Sequence, residues 1–327
     1  MLDSTFHPAD TIADAGKNPA RAKQLVVNAD DLGIAPEVNR AVAQAHAAGI
    51  LTSASLMVNM PYSQDAVENV VRRYSHLGVG LHLCLTSGAA ISAARDIPLL
   101  VDSAGNFRHG FFGLGRLLIS AQREQAVVQI YGELAAQLQL ARSWGIALDH
   151  LNSHQHVHMI GPLFAVVSAL ARRHHLPLRV PHERFGPWSR RIAQLGAWVR
   201  SGGLAKRALL STLARIASPA GRDRGQAAFF GILDSGRMSL AAWRRVLTAL
   251  PEGVSEVAVH PAYSLRNDPA RGCSRADRKF LASPRRQMEL DALRDPRLRR
   301  EIDRQQIALV RFADVRRADA KKARAAA

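Results

Sequence analysis

Short apolar runs and helix-length amphipathic stretches alternate along almost the whole chain, and four of the apolar runs end in a polar cluster. Strand-like runs fall at 24–27, 51–58, 79–83, 150–152, 178–180, 257–259 and 307–312, and helix-like stretches at 36–48, 63–74, 124–144, 162–174 and 239–250. Strands that alternate with helices place neighbouring strands parallel, with the helices covering the sheet. About seven βα repeats in one unbroken series favour a TIM-like, modified (β/α) barrel over two doubly wound halves. We therefore expect one α/β barrel domain over 23–315, a flexible arm over 1–22 and a disordered basic tail over 316–327. A basic, apolar helical insert at about 185–217 interrupts the series, and Gly202-Gly203 divides it into two helices.

The polar clusters carry the chemistry. Asp30-Asp31, His82, the histidines at 154, 156 and 158, and His260-Pro261 each lie at or just past the C-terminal end of an expected strand. In a βα barrel those ends converge on one face, where active sites are built. Adjacent carboxylates at Asp30 and Asp31 suit one metal ligand and one proton carrier, or a pair of turn and helix caps. His154, His156 and His158 alternate, so an extended chain would turn all three to one face as ligands or as groups orienting ligands. His82 follows a Gly-rich strand, where a core histidine is the simpler reading in isolation. His260 is held by Pro261 in a stiff turn, fit for a general acid or base or for a turn residue. One Asp with two His is a familiar set for a divalent ion with open positions. Such an ion activates water, and flanking acid and base groups then suit amide hydrolysis; phosphoester hydrolysis fits as well. No P-loop, GxGxxG or GxSxG pattern is present.

Charge is unevenly distributed. The chain of 327 residues has a formal net charge of +17; residues 1–183 hold 14 basic and 14 acidic side chains, and 184–327 hold 30 and 13. From Arg184 to Ala217 there are seven basic residues and no acid, interleaved with Trp188, Trp198, Leu209, Leu213 and other apolar residues. That mixture suits an interfacial helix at an anionic membrane surface, with Trp188, Trp198, Leu209 and Leu213 facing the lipid. A nucleic-acid partner is the competing reading from charge alone, but no recognition motif or stacking platform supports it, and none is expected. Only Cys84 and Cys273 are present, no apolar run reaches the roughly 18–20 residues of a span, and the start lacks the basic and apolar regions of a secretory signal. A reduced, cytoplasmic protein, peripheral at the inner face of the membrane, is the expectation.

Five segments together carry a resemblance: 27–33 (VNADDLG), 49–58 (GILTSASLMV), 80–83 (GLHL), 153–158 (SHQHVH) and 260–262 (HPA). In order and spacing they resemble the YdjC-like carbohydrate deacetylases from about residue 23 to 312. The resemblance implies a modified barrel and metal-dependent removal of an N-acetyl group from an amino sugar. Carried over by motif, Asp31, His82 and His154 would hold one divalent ion, zinc or magnesium foremost. Asp30 would be the general base and His260 the acid that protonates the amine. Members acting on oligosaccharides have Asp where this chain has Asn152. Asn there, with segments 97–102, 179–181, 229–232, 235–238 and 250–256, is similar to the branch associated with hopanoid biosynthesis. For that branch the implied substrate is an N-acetylglucosaminyl bacteriohopanetetrol; a soluble chito-oligosaccharide such as diacetylchitobiose is the alternative. Asn152, His156, His158 and Arg179 are then expected to bind substrate or to support the ligands.

Overall fold

The computed structural model describes residues 22–183, 192–217, 227–264 and 272–317. Among the described residues, seven strands form one sheet: β1 (Lys23–Leu32), β2 (Ser53–Leu56), β3 (Gly78–Leu83), β4 (Leu151–Ser153), β5 (Ala228–Phe230), β6 (Gly253–Val259) and β7 (Ala308–Leu309). Every pairing is parallel, in the order β4-β3-β2-β1-β6-β5, with β7 beside the start of β1. The curled sheet brings its edges toward the same segment: Leu178 bridges Leu151 of β4, and Glu183 bridges Phe229 of β5. The strand expected at 178–180 is thus reduced to one bridge, at Leu178, while 228–230, not read as a strand, forms β5. The barrel is modified at this seam. The arm at 1–22 and the tail at 316–327 lie outside the described residues, apart from Ala22, Arg316 and Arg317.

Strand alternation explains both faces of the sheet. Leu25, Val27, Ala29, Ala54, Leu56, Val79, Leu81, Leu151, Val257 and Val259 pack outward into the main apolar core beneath the helices. The intervening residues turn inward, and many are polar: Asn28, Asp30, Ser55, His82, His150, Asn152 and Glu256, all buried. A barrel of this type ordinarily fills its interior with branched aliphatic side chains. Here the interior is a hydrogen-bonded polar stack.

The helical layer includes α1 (Pro36–Ala47), α2 (Ser63–Ala66), α3 (Phe111–Leu117), α4 (Arg123–Ser143) and α5 (Gly161–Arg173). The insert supplies α6 (Ile192–Arg200) and α7 (Gly203–Ala217), divided at Gly202, whose φ of 73° suits glycine. Then come α8 (Leu240–Ala249), α9 (Arg275–Leu281), α10 (Arg285–Leu293) and α11 (Pro296–Arg304). α3 goes beyond the sequence expectation, and the single helix expected before the last strand is a run of three, α9–α11. α4 is amphipathic in an uncommon way, because its buried face holds Gln129, Glu133 and Gln137 at helical spacing. These accept backbone N–H groups of Leu99, Ile91, Ser92 and Cys84 at 2.8–3.1 Å, anchoring the strand-poor loop after β3. No helix among the described residues is long and apolar enough to cross a membrane.

The insert is partly core. Leu210 and Ala214 of α7 form a second apolar cluster with Met159, Phe229, Ile232 and Ala258, and Leu213 packs against it. Trp198 of α6 is fully buried, its Nε1 donating to Asp234 Oδ1 at 3.1 Å. Neither Trp198 nor Leu213 therefore faces a membrane as the sequence led us to expect: the weakly bridged seam of the barrel needs an apolar cover, and these residues provide it. Trp188 lies outside the described residues.

One close approach is diagnostic of the polar interior. A Cβ on Gly80 would overlap the imidazole of His150. Gly80→Ala is expected to destabilise the protein by about 1–3 kcal/mol through overpacking, read by urea denaturation.

Candidate active site

β1 delivers both aspartates by breaking its own regularity. Its register with β2 shifts between Ala29 and Leu32, and Asp31 adopts φ 68°. An ordinary strand would send adjacent carboxylates to opposite faces; this irregularity lets both serve the inner site.

Asp30 accepts two hydrogen bonds from the Arg179 guanidinium, Nη1 to Oδ2 at 2.6 Å and Nη2 to Oδ1 at 2.9 Å. Asn28 and Asn152 donate to its Oδ1 at 2.9 and 3.3 Å. Burial alone would raise its pKa, but Arg179, His82 and His260 hold it far below the usual carboxylate range. Arg179 also donates through Nε to Glu256 at 2.8 Å, so two buried anions share one buried cation.

Asp31, His82 and His154 each turn one ligand atom toward a common point, with these atoms within 4.8 Å of one another. His82 donates from Nδ1 to Asn152 Oδ1 at 2.7 Å, which leaves its Nε2 lone pair directed at Asp31 Oδ1, 3.6 Å away. Burial keeps this imidazole neutral against the pull of Asp30 and Asp31. His154 lies between Asp31 (Nδ1, 3.1 Å) and Asp277 (Nε2, 2.9 Å). Burial opposes its protonation, yet Asp277 and Asp31 hold its pKa well above normal. A positive charge is therefore favoured where a divalent ion would sit. The donor set fits such an ion: one carboxylate and two imidazoles whose far nitrogens are engaged by acceptors. Burial would lift Asp31, but His154 and Arg286, 3.5 Å away, keep it ionised.

His260 closes the far side of Asp30, its Nε2 3.9 Å from Oδ2. Its backbone N–H donates to Glu289 at 2.5 Å and its carbonyl accepts from Arg286 at 2.9 Å. Burial pushes its pKa down to about 4, so the imidazole is neutral at pH 7.

The three alternating histidines do not share a face. β4 stops at Ser153, and 154–159 fold into a tight helical turn with Gln155 and His156 at φ 54° and 57°. His154 alone enters the metal group. His158 is structural: Ser153 Oγ lies 2.5 Å from Nδ1, Nε2 donates to the Arg179 carbonyl at 2.9 Å, and burial pushes its pKa down to about 3. His156 packs edge-on against Phe229, its Nδ1 without a hydrogen-bond partner, and burial with Lys206 and Arg179 nearby keeps it neutral.

Residues 24–304 match the family described as YdjC-like protein. The chain belongs to this family. The YdjC-like chain is 41% identical over 158 residues to a carbohydrate deacetylase of Brevibacillus brevis, covering 48% of this chain and 59% of the relative. It is 34% identical over 156 residues to a carbohydrate deacetylase of Vibrio cholerae, covering 48% and 58%. The matched part thus spans about three-fifths of the length of these curated relatives. A solved structure of a putative cellobiose-phosphate cleavage protein from Enterococcus faecalis aligns with a TM-score of 0.67 at 24% identity, covering 90% of this chain and 99% of that one. This likeness supports the fold.

Asp277, Arg286, Glu256 and Lys206 join this YdjC-like site without having been singled out as site residues. Ser274-x-x-Asp277 reads as a helix-capping pair, and Ser274 Oγ does accept the Asp277 N–H at 3.1 Å. That local role hid the carboxylate's second contact, to His154. Lys206 counted only as part of the insert's charge; burial lowers its pKa, and the field of Asp30 and Asp31 opposes that shift only in part. Asp277→Asn should weaken divalent-metal binding about 10–100-fold, because it removes the anionic acceptor fixing His154; competition titration with a fluorescent chelator measures it.

Proposed function

We propose that this YdjC-like protein is a metal-dependent amide hydrolase that removes the N-acetyl group from an amino sugar. The observation that carries the reading is the pairing of the Asp31–His82–His154 group with a separate carboxylate and imidazole, Asp30 and His260, on one inner face. Asp31, His82 and His154 would hold one divalent ion, which supplies Lewis acidity toward a carbonyl and lowers the pKa of water. Asp30 accepts the proton of the attacking water. Its clamp by Arg179 makes it a weak base in isolation, so its fitness depends on the acidity of that water. His260 is neutral at rest and, 3.9 Å from Asp30, is placed to take that proton and pass it to the departing amine nitrogen. The attacking water and the departing amine are then both served, which a poor leaving group demands.

The named activity of the curated relatives supports an acetylated sugar as substrate. The hopanoid-linked amino sugar is the finer proposal, supported by Asn152 and by the insert's surface. Leu195, Val199, Leu209 and Ile216 stand exposed on α6 and α7, beside exposed Arg200 and Arg215 and no acid between 192 and 217. Apolar and basic groups on one pair of helices match an anionic bilayer, each cation near its surface contributing about 1 kcal/mol. Trp198 and Leu213 leave that list, and Leu209 remains on it. The proposed setting is the cytoplasmic membrane face.

Acetate release from N-acetylglucosaminyl hopanoid and from diacetylchitobiose, each with and without EDTA, tests the reading. Release from the lipid-linked sugar, abolished by EDTA and restored by metal, is expected. Turnover of diacetylchitobiose alone would replace the hopanoid by a soluble oligosaccharide, and no acetate from either would defeat the hydrolase. Asp30→Asn should lower kcat by at least about 10²-fold while keeping most metal binding. Val199→Asp with Ile216→Asp should reduce flotation with anionic liposomes; undiminished flotation removes the insert's proposed membrane role.

A further inference from the structure

Beneath the two aspartates, inward residues of β1, β2 and β4 and of the segment just before β4 form a chain of hydrogen bonds that reaches the floor of the barrel. Ser55 Oγ lies 2.9 Å from Asn28 Nδ2, 2.7 Å from Asn152 Nδ2 and 2.9 Å from His150 Nε2. His150 Nδ1 lies 2.7 Å from Asp149 Oδ1, whose Oδ2 accepts the Ala313 N–H at 3.3 Å.

Donor accounting fixes every proton in this chain. Asp30 only accepts, so Asn28 and Asn152 must both present their NH₂ groups to it. The same NH₂ groups then donate to Ser55, filling its two lone pairs. The single Ser55 proton is left for His150 Nε2, which must be an acceptor, and Nδ1–H of His150 donates to Asp149. At the other end, Asn152 with its NH₂ so directed must offer Oδ1 to His82. This holds His82 as the Nδ1–H form with Nε2 free.

We infer that Asp149, His150 and Ser55 are positioning residues that set the orientation of Asn28 and Asn152, and through them both the Asp30 carboxylate and the tautomer of His82. The inference rests on the proposed roles of Asp30 as base and His82 as ligand. The arrangement has the order Asp–His–Ser, yet Ser55 is buried, its lone pairs are occupied, and it is no nucleophile. Two further features serve the relay: Gly80 lacks the Cβ that would displace His150, and Phe312 stacks on His150 at 4.4 Å between ring centroids. Without Ser55, each amide loses one of its two acceptors and is held in the required orientation by Asp30 alone.

Two measurements test this. In protein labelled with ¹⁵N-histidine, ring-nitrogen shifts should show both His82 and His150 as Nδ1–H tautomers. An Nε2–H tautomer at His150 in the wild type would overturn the inference whatever any variant does. Ser55→Ala should lower kcat about 10–100-fold with KM within about 3-fold, weaken metal binding, and change the His82 and His150 signals while the fold persists. Unchanged kcat, metal affinity and histidine signals in folded Ser55→Ala would also overturn it. Failure of the wild type to release acetate would defeat the hydrolase reading, while the tautomers and metal affinity still decide the relay.

Discussion

Arg179 is the charge on which the interior of this barrel depends. Its side chain is wholly buried between Asp30 and Glu256, with hydrogen bonds to both. A buried carboxylate without a partner costs several kcal/mol, and removing one member of a buried pair typically costs about 3–5 kcal/mol. Two such carboxylates on neighbouring strands β1 and β6 would repel, and the strands could not carry them inward without a cation between. Arg179 arrives from outside the regular sheet, on the segment that bridges β4. The same segment therefore spans the seam of the barrel and neutralises its interior. His158 secures it, donating to the Arg179 carbonyl.

Much of this was legible in the sequence, for a physical reason. Period-two apolar runs reveal strands, and the order of strands and helices reveals a parallel sheet; Asp30-Asp31, His82, His154 and His260 then fall where strand ends converge. What the sequence concealed depended on local departures from regular geometry. The alternation of His154, His156 and His158 reads as one extended face, but two left-handed residues wrap the segment into a turn and scatter the rings. Asp277 lies in the first turn of α9, where Ser274 caps the helix, and its contact with His154 needs a chain separation of 123 residues to be closed. Trp198 reads as an interfacial aromatic because an amphipathic helix beside a weakly paired barrel seam has the same pattern as one beside a membrane. Packing alone decides between them.

The insert consequently belongs to two surfaces. Leu210 and Ala214 close the seam, Lys206 extends into the field of Asp30 and Asp31, and Val199 and Ile216 remain in solvent. Docking of the exposed face would thus act on helices already tied to the site. Charge on the second half of the chain is divided accordingly, some of it turned inward to balance Asp30 and Asp31 and some outward.

Asn152 shows how a departure from pattern can be a gain. Read as a sequence change, Asn in place of Asp removes a charge and with it a role as charged orienter. In the barrel the residue faces Asp30 on one side and His82 on the other. An aspartate there would accept from His82 but would set a second anion against Asp30, leaving Arg179 to balance one more carboxylate. The amide accepts and donates at once: its oxygen accepts from His82, and its nitrogen ties Asp30 to Ser55. A neutral side chain with two kinds of polar end is what this position requires once Arg179 is already shared with Glu256.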